Sequence, residues 1–118
     1  MKAKLETMLR AKGILKTVQI YNGNKIYQTM TEKLPREDKF IHGMFFGWDN
    51  TPRHGFRGYI ITPPSKESFM RYADSIKNSE YVFINAWNEW AEGMILEPTT
   101  HNGCKYLSWI KEWNDTNQ

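Results

Sequence analysis

The chain has 118 residues, 40% of them hydrophobic and 14% aromatic, and a net charge of +3. That length allows one domain with a modest core. Residues 1–40 carry nine Lys and Arg against four Asp and Glu, whereas residues 41–118 carry seven against nine. The half that is rich in tryptophan is therefore mildly acidic. This argues against a nucleic-acid groove, which places basic side chains beside aromatic ones.

Several other classes of protein are excluded by what the sequence lacks. The single cysteine, Cys104, excludes an intramolecular disulfide and a multi-cysteine zinc site. No apolar run approaches the roughly 18 residues of a membrane span, and the charged N-terminus does not resemble a signal peptide. There is no glycine-rich phosphate loop, and the histidine spacings match no metal-site pattern. We expect a cytoplasmic protein with no membrane span, no nucleic-acid partner, no cofactor and no metal.

Helices and strands are predicted to alternate along one domain, residues 1–118. Periodic apolar residues predict helices at residues 3–12, 24–34 and 66–78 and a last helix around residues 106–113, and strands near residues 17–21, 40–46 and 81–86. Asn24 and Ser65 are the predicted N-caps of the second and third helices. Residues 47–55 and 99–103 read as loops. The alternation predicts an α/β fold with a parallel sheet.

The right-handed crossover rule places the loops after Tyr21, Phe46 and Ala86 on one rim of this sheet. Two of these loops are unusual, because residues 48–54 and 88–92 are rich in polar and aromatic side chains. Active sites of α/β sheets and barrels lie at the carboxyl ends of the strands. The sequence therefore predicts a functional site where the two loops meet.

Two carboxylates in the second loop are candidate catalytic groups. Glu89 and Glu92 are three residues apart, so a helical turn would place them on one face. The neighbouring Trp87 and Trp90 would exclude water and favour one protonated and one ionised carboxyl. Such a pair is the usual arrangement for cleaving a glycosidic bond. The alternative is two solvated glutamates at the end of a helix.

The first loop offers candidate substrate-binding residues. Asp49, Asn50 and Arg53 supply hydrogen-bonding groups of both polarities, as sugar hydroxyls require, and Trp48 presents a ring that can stack on a pyranose face. The alternative is structural, with Asp49 and Asn50 forming an Asx-turn and Arg53 a surface ion pair.

Two segments resemble a known family. Phe83–Gly93, followed by Leu96–Pro98 and Gly103–Leu107, is similar to the C-terminal signature of WbsX-type proteins, and Gly47–Arg53 resembles a second signature of that family. These are bacterial proteins of surface-polysaccharide gene clusters (O-antigen, capsule or lipopolysaccharide). They are usually called glycosyltransferases and are related to glycoside hydrolase family 99.

The resemblance implies a (β/α)8 TIM barrel and a retaining reaction at α-mannosidic linkages. It implies that Glu89 deprotonates the 2-hydroxyl of the sugar, giving a 1,2-anhydro intermediate. Glu92 would protonate the leaving oxygen and then activate water. The residues that would shape the sugar pocket are Asp49, Asn50, Arg53, Asn88 and Trp90.

Length sets this chain apart from that family, because a complete barrel takes about 250 residues. The predicted strands correspond to about the last three βα units, so we expect exposed strand edges and an exposed apolar sheet face. The N-terminal part of the barrel would then be a partner on a separate chain. The alternative functions are an inactive truncated fragment and a non-catalytic glycan-binding domain. Hydrolysis and transfer to an acceptor sugar both remain open for an active form.

Overall fold

Helices and strands alternate through most of the chain in the computed structural model, which describes residues 2–35 and 40–117. The helices are α1 (Lys2–Ala11), α2 (Gly23–Glu32), α3 (Thr51–His54), α4 (Lys66–Ser75) and α5 (Lys105–Thr116). The strands are β1 (Gln19–Tyr21), β2 (His42–Phe45), β3 (Trp48–Asp49), β4 (Tyr59–Ile61), β5 (Val82–Asn85), β6 (Asn88–Glu89) and β7 (Met94–Ile95). Short 3₁₀ turns occupy Gly55–Arg57 and Trp90–Glu92.

The strands form three small sheets. β1 and β4 pair in parallel, and β3 lies antiparallel on the other side of β4. β2 and β5 form a second parallel pair, and β6 and β7 form an antiparallel hairpin. The parallel pairing that the sequence predicts is therefore present. Among the described residues the sheets do not close into a barrel.

Three details of the prediction are wrong. The segment 47–55 is not only a loop, because it contains β3 and α3. β4 was not predicted, although it is the strand that pairs with β1. Asn22, not Asn24, caps α2: its side-chain oxygen accepts the backbone N–H of Lys25, while Asn24 accepts the N–H of Ser65. Ser65 is the cap of α4, as predicted, and accepts the N–H of Ser68.

The core lies between the helices and one face of the β2–β5 pair. It contains Tyr27 of α2, Met44 and Phe46 of the β2 region, and inward-facing residues of α4 and α5. The buried α4 and α5 residues are Phe69, Tyr72, Ala73, Tyr106 and Trp109, with Ile76 directly after α4. Aromatic rings fill most of this space, and Phe46 stacks on Tyr106 with their centroids 4.5 Å apart. The helices thus cover one side of the sheet and fix the positions of its carboxyl ends.

Apolar side chains of the strands are also exposed. Ile20 of β1 and Phe83 of β5, which belong to different sheets, are each 64% exposed, and Tyr81 directly before β5 is exposed as well. The radius of gyration is 16.2 Å, whereas a compact chain of this length is expected near 13.5 Å. The molecule is a slab with extents of 52 × 37 × 23 Å, because a single layer of helices packs on the strands. An exposed apolar sheet face is what the predicted partial α/β fold requires.

None of the helices within residues 2–35 and 40–117 has the length and apolar character that a membrane span requires.

Candidate functional site

The carboxyl ends of the parallel strands meet on one rim, as the crossover rule predicts. Phe45 at the end of β2 pairs with Asn85 at the end of β5, and Tyr21 of β1 pairs with Ile61 of β4. The two pairs approach each other at Gly47, since a Cβ there would lie 3.3 Å from Cγ of Pro63. The chain segments that follow β2 and β5 therefore start side by side.

The two segments also touch further along. β3 runs back along β4, with Trp48 opposite Ile61. The hairpin β6–β7 leaves the end of β5 and turns through Trp90–Glu92, closed by Gly93 in a left-handed conformation with φ 63°. A Cβ on Gly93 would lie 3.3 Å from the backbone N of Asp49, so the turn rests directly on β3. Only a glycine combines that φ with that approach at low cost.

The two candidate catalytic residues lie at this turn. Glu89 ends β6 and is exposed, and Glu92 ends the 3₁₀ turn with its side chain 22% exposed. The sequence predicts one helical turn that contains both glutamates, but Glu89 lies in β6 and only Glu92 lies in the 3₁₀ turn. Neither carboxylate accepts a hydrogen bond from any residue of the described ranges.

Arg53 connects the first segment to the second. Its Nη1 lies 3.6 Å from Oε1 of Glu92, and its side chain is 57% exposed. This separation is an ion pair rather than a hydrogen bond. Arg53 reaches this position from α3, which begins directly after Asn50. Arg53 thus makes a surface ion pair, as in the structural alternative, and this pair joins the two candidate segments.

Asp49 and Asn50 hold the first segment in shape. Oδ1 of Asp49 accepts the N–H of Thr51 at 2.9 Å and its hydroxyl at 2.6 Å, which is an Asx-turn. Oδ1 of Asn50 accepts the N–H of Tyr59 at 2.8 Å, and Asn50 is buried. The Asx-turn of the structural interpretation is therefore present at Asp49, whereas Asn50 instead accepts a hydrogen bond from the distant Tyr59. The second oxygen of Asp49 has no partner within the described part of the chain.

Aromatic rings flank the site on both segments. Trp48 stacks on Tyr59 with an interplanar angle of 16°, and its indole N–H is buried without an acceptor among the described residues. Trp90 is 60% exposed and donates its indole N–H to Oε1 of Glu97 at 2.7 Å. Trp87 and Asn88 are also exposed. Trp90 is therefore oriented by a hydrogen bond yet open to solvent on its faces.

A groove of about 340 Å³ lies between the two segments. Trp48, Asp49 and Gly93 form one part of its wall, with Trp90 beside them. Its apolar floor consists of Phe46, Ile60, Ile61, Pro63, Ile95 and Tyr106. Glu89, Glu92, Asn88 and Arg53 do not line the groove itself. In sequence, Glu89 and Glu92 directly precede Trp90 and Gly93, which do line it.

The sequence did not identify one wall of this groove. Thr99, Thr100, His101 and Asn102 line it from a loop before α5. The polar composition of residues 99–102, between Leu96–Pro98 and Gly103–Leu107 of the C-terminal signature, is the available signal. Only packing of α5 against Phe46 shows that this loop returns to the same rim.

A larger cleft of about 780 Å³ lies at the opposite end of the molecule, at the amino ends of β2 and β5. Pro35, Phe40, His42 and Tyr81 are among its lining residues. The connection between Pro35 and Phe40 lies outside the described residues, so no site is assigned there. Within residues 2–35 and 40–117, no three His, Cys, Asp or Glu side chains are grouped to hold a metal ion.

Comparison with known proteins identifies the family. A family model described as Glycosyltransferase WbsX matches residues 1–110. Two curated relatives, each named uncharacterized protein WxcX and each from a strain of Xanthomonas campestris pv. campestris (B100 and ATCC 33913), are 32% identical over 97 residues. The alignment covers 75% of this chain and 14% of each relative, and no solved structure matches. The family match over nearly the whole chain, together with these relatives, shows that this chain belongs to the WbsX glycosyltransferase family.

Proposed function

We propose that the rim bearing Glu89 and Glu92 acts on glycosidic bonds of bacterial surface polysaccharides by a retaining mechanism. Membership of a glycosyltransferase family supports a carbohydrate substrate. The observation that carries the proposal is the contact between the two signature segments: Arg53 approaches Glu92, and Gly93 packs on Asp49. These contacts bring two segments that are about forty positions apart in sequence together next to the Glu92 carboxylate.

Two steps follow for the two carboxylates. Glu89, as a base, takes the proton of the 2-hydroxyl, and that oxygen forms a bond to C1 while the bond from C1 to the leaving oxygen breaks. Glu92 gives its proton to the leaving oxygen. In the second step Glu92 takes a proton from water or an acceptor hydroxyl, which attacks C1 and opens the 1,2-anhydro ring, and O2 regains a proton from Glu89. Both inversions at C1 together retain its configuration.

The positions of the two glutamates support these roles. Glu89 ends β6 and is exposed, and Glu92 ends the neighbouring 3₁₀ turn and is partly exposed, so both are accessible to a sugar bound at this rim. Because the Arg53–Glu92 separation exceeds hydrogen-bonding distance, Glu92 keeps its oxygens for a proton donor or acceptor on the sugar. Arg53 orients Glu92 as a positioning residue.

The remaining candidate residues shape the sugar site. Trp48 and Trp90 offer ring faces of the kind on which a pyranose stacks, and the second oxygen of Asp49 accepts a hydroxyl. Asn88 is exposed next to Glu89 and is placed to contact the sugar. Asn50 acts from behind the groove by tying α3 to β4.

We extend the proposal to the fold: β1, β4, β2 and β5 form part of a (β/α)8 barrel. The helices packed on the β2–β5 pair and the site at the strands' carboxyl ends support it. The exposed Ile20 and Phe83 are residues that further strands of such a barrel would cover, whether from the same polypeptide or from another chain.

A second candidate is non-catalytic glycan binding. It is favoured by the open setting of the site, because Glu89 and Trp90 are both exposed and water is not excluded from the turn. A groove with two tryptophans and a polar wall can bind a sugar without cleaving it.

Incubation of the protein with an α-linked mannobiose tests the proposal. NMR of the anomeric protons then shows whether mannose is released and with which anomeric configuration. We expect release of mannose with retained configuration, and formation of a new disaccharide when a second sugar is added if transfer competes with hydrolysis. Saturable binding without turnover would replace catalysis by glycan binding. If the chain shows neither sugar binding nor turnover, a carbohydrate function for this rim is rejected.

A further inference from the structure

We propose that the Thr99–Gly103 loop selects the sugar, with His101 and Asn102 as specificity-determining residues for a neutral glycoside. This inference rests on the carbohydrate function proposed above and assigns a role to His101 and Asn102, which lie outside the residues of both signatures.

The loop is held in one conformation by its own backbone. Gly103 donates its N–H to the carbonyl of Thr99 at 2.7 Å, and Thr99 donates its N–H to the carbonyl of Gly103 at 3.4 Å. The hydroxyl of Thr99 accepts the N–H of Asn102 at 2.9 Å. These contacts close a five-residue ring, with Gly103 at φ 51°. A preformed loop binds a ligand with a smaller entropic cost than a mobile one.

The side chains of the loop are free for a ligand. His101 is exposed and Asn102 is partly buried, and both line the groove opposite Trp48 and Asp49. Neither side chain makes a hydrogen bond or an ion pair with residues 2–35 or 40–117. Imidazole and amide groups each supply donors and acceptors, which matches hydroxyls that donate and accept at once. Asp49 across the groove supplies only acceptors.

The groove limits the ligand in size and charge. Its volume of about 340 Å³ is near the lower end of the range for ligand pockets, about 300–1,000 Å³, which fits one or two sugar rings. None of its lining residues is a lysine or an arginine, whereas Asp49 is acidic. Phosphate groups are usually bound by such cations, so the groove disfavours a sugar phosphate or a nucleotide-linked sugar. A neutral glycoside is the chemical class that remains.

Sugar titrations of single alanine variants test the loop. The probes are methyl α-D-mannopyranoside, its glucoside epimer and mannose 6-phosphate, and the readout is Kd from calorimetry. We expect His101→Ala and Asn102→Ala each to raise the Kd for the mannoside about five- to tenfold, because each variant loses one hydrogen bond to the sugar. The ratio of the Kd values for the glucoside and the mannoside should become smaller. His54→Ala and Asn114→Ala alter exposed residues that do not line the groove, and these controls should bind as the unaltered chain does.

Each outcome bears on a different part of the proposal. Unchanged affinity and unchanged epimer preference in both loop variants would overturn the role of the loop while leaving the carbohydrate function intact. Tighter binding of mannose 6-phosphate than of the mannoside would overturn the neutral-ligand assignment. Absence of sugar binding by the unaltered chain would overturn the underlying function and the inference with it. Far-ultraviolet circular dichroism confirms that each variant is folded.

Discussion

Arg53 and Glu92 lie 3.6 Å apart, between Nη1 and Oε1, although they are 39 residues apart in sequence. One belongs to the short helix α3 and the other to the 3₁₀ turn after β6. Their approach depends on β3 folding back along β4 and on Gly93 resting against Asp49. The pair is the most direct link between the two segments that carry the family signatures.

Replacing Arg53 by methionine removes this guanidinium while keeping a side chain of similar length. We expect turnover of an α-linked mannobiose to fall roughly ten- to hundredfold, because Glu92 loses its orientation toward the sugar. The free energy of unfolding should change by less than about 1 kcal/mol, since an exposed ion pair contributes little. Rate measurements together with urea unfolding separate the two effects.

Arg71→Met is the matched control for this substitution. Arg71 pairs with Glu67 at 2.7 Å on the exposed surface of α4, away from the rim. This variant should retain full turnover and similar stability. Equal turnover in both variants would show that Arg53 has no role in the reaction.

Gly93→Ala tests the packing of the turn on β3. An alanine at φ 63° is strained, and its Cβ would press against the backbone N of Asp49 at 3.3 Å. We expect a loss of roughly 1–3 kcal/mol in the free energy of unfolding by urea, with weaker sugar binding. Gly13→Ala is the control, since Gly13 has φ 70° with no atom within 4 Å of the added Cβ. Equal losses in the two variants would show that the Asp49 contact contributes nothing.

Tyr27→Phe tests the two hydrogen bonds that join α2 to the end of β2. The buried Tyr27 hydroxyl donates to the carbonyl of Phe45 at 2.7 Å and accepts its N–H at 3.0 Å. Losing both bonds at a buried site should cost about 1–3 kcal/mol. Tyr81→Phe, which alters an exposed tyrosine, should cost almost nothing.

The same tyrosine links stability to alkaline pH. Burial raises the pKa of Tyr27 well above its usual value, and burial also raises the pKa of Tyr72 and Tyr106. Above about pH 10 these three phenols therefore stay protonated in the folded state but ionise in the unfolded state. The free energy of unfolding should be independent of these groups below pH 10 and should fall as pH rises beyond it. Tyr27→Phe should make this decline shallower in urea titrations at successive pH values, and an unchanged slope would contradict the assignment.

The helices that pack on the sheet could be predicted well from the sequence. Ser65 and the apolar residues at positions 69, 72, 73 and 76 define α4 because cap and periodicity agree. The strands β2 and β5 were placed within two residues, since apolar runs bounded by polar residues mark buried strands. The convergence of the two rim segments also followed from topology alone.

The short strands could not be predicted. β3, β6 and β7 have two residues each, too few to show a period, and they exist through pairing with segments that lie elsewhere in the sequence. The N-cap of α2 is Asn22 and not Asn24, and the adjacent Gly23 packs so closely on Thr62 that a Cβ would lie 1.9 Å from the Thr62 carbonyl oxygen, a tertiary contact that the sequence does not show. The Thr99–Gly103 wall depends on where α5 docks, which is a tertiary property.

Turnover by Glu92→Gln is the measurement that tests the account most directly. Glutamine keeps the shape of the side chain but can neither donate nor accept the proton that glycoside cleavage requires. We predict that the unaltered chain releases mannose from an α-linked mannobiose and that Glu92→Gln is at least about a hundredfold slower. Glu67→Gln, at an exposed glutamate of α4, should match the unaltered chain. Equal rates for Glu92→Gln and the unaltered chain would contradict the assignment of this rim as the catalytic site.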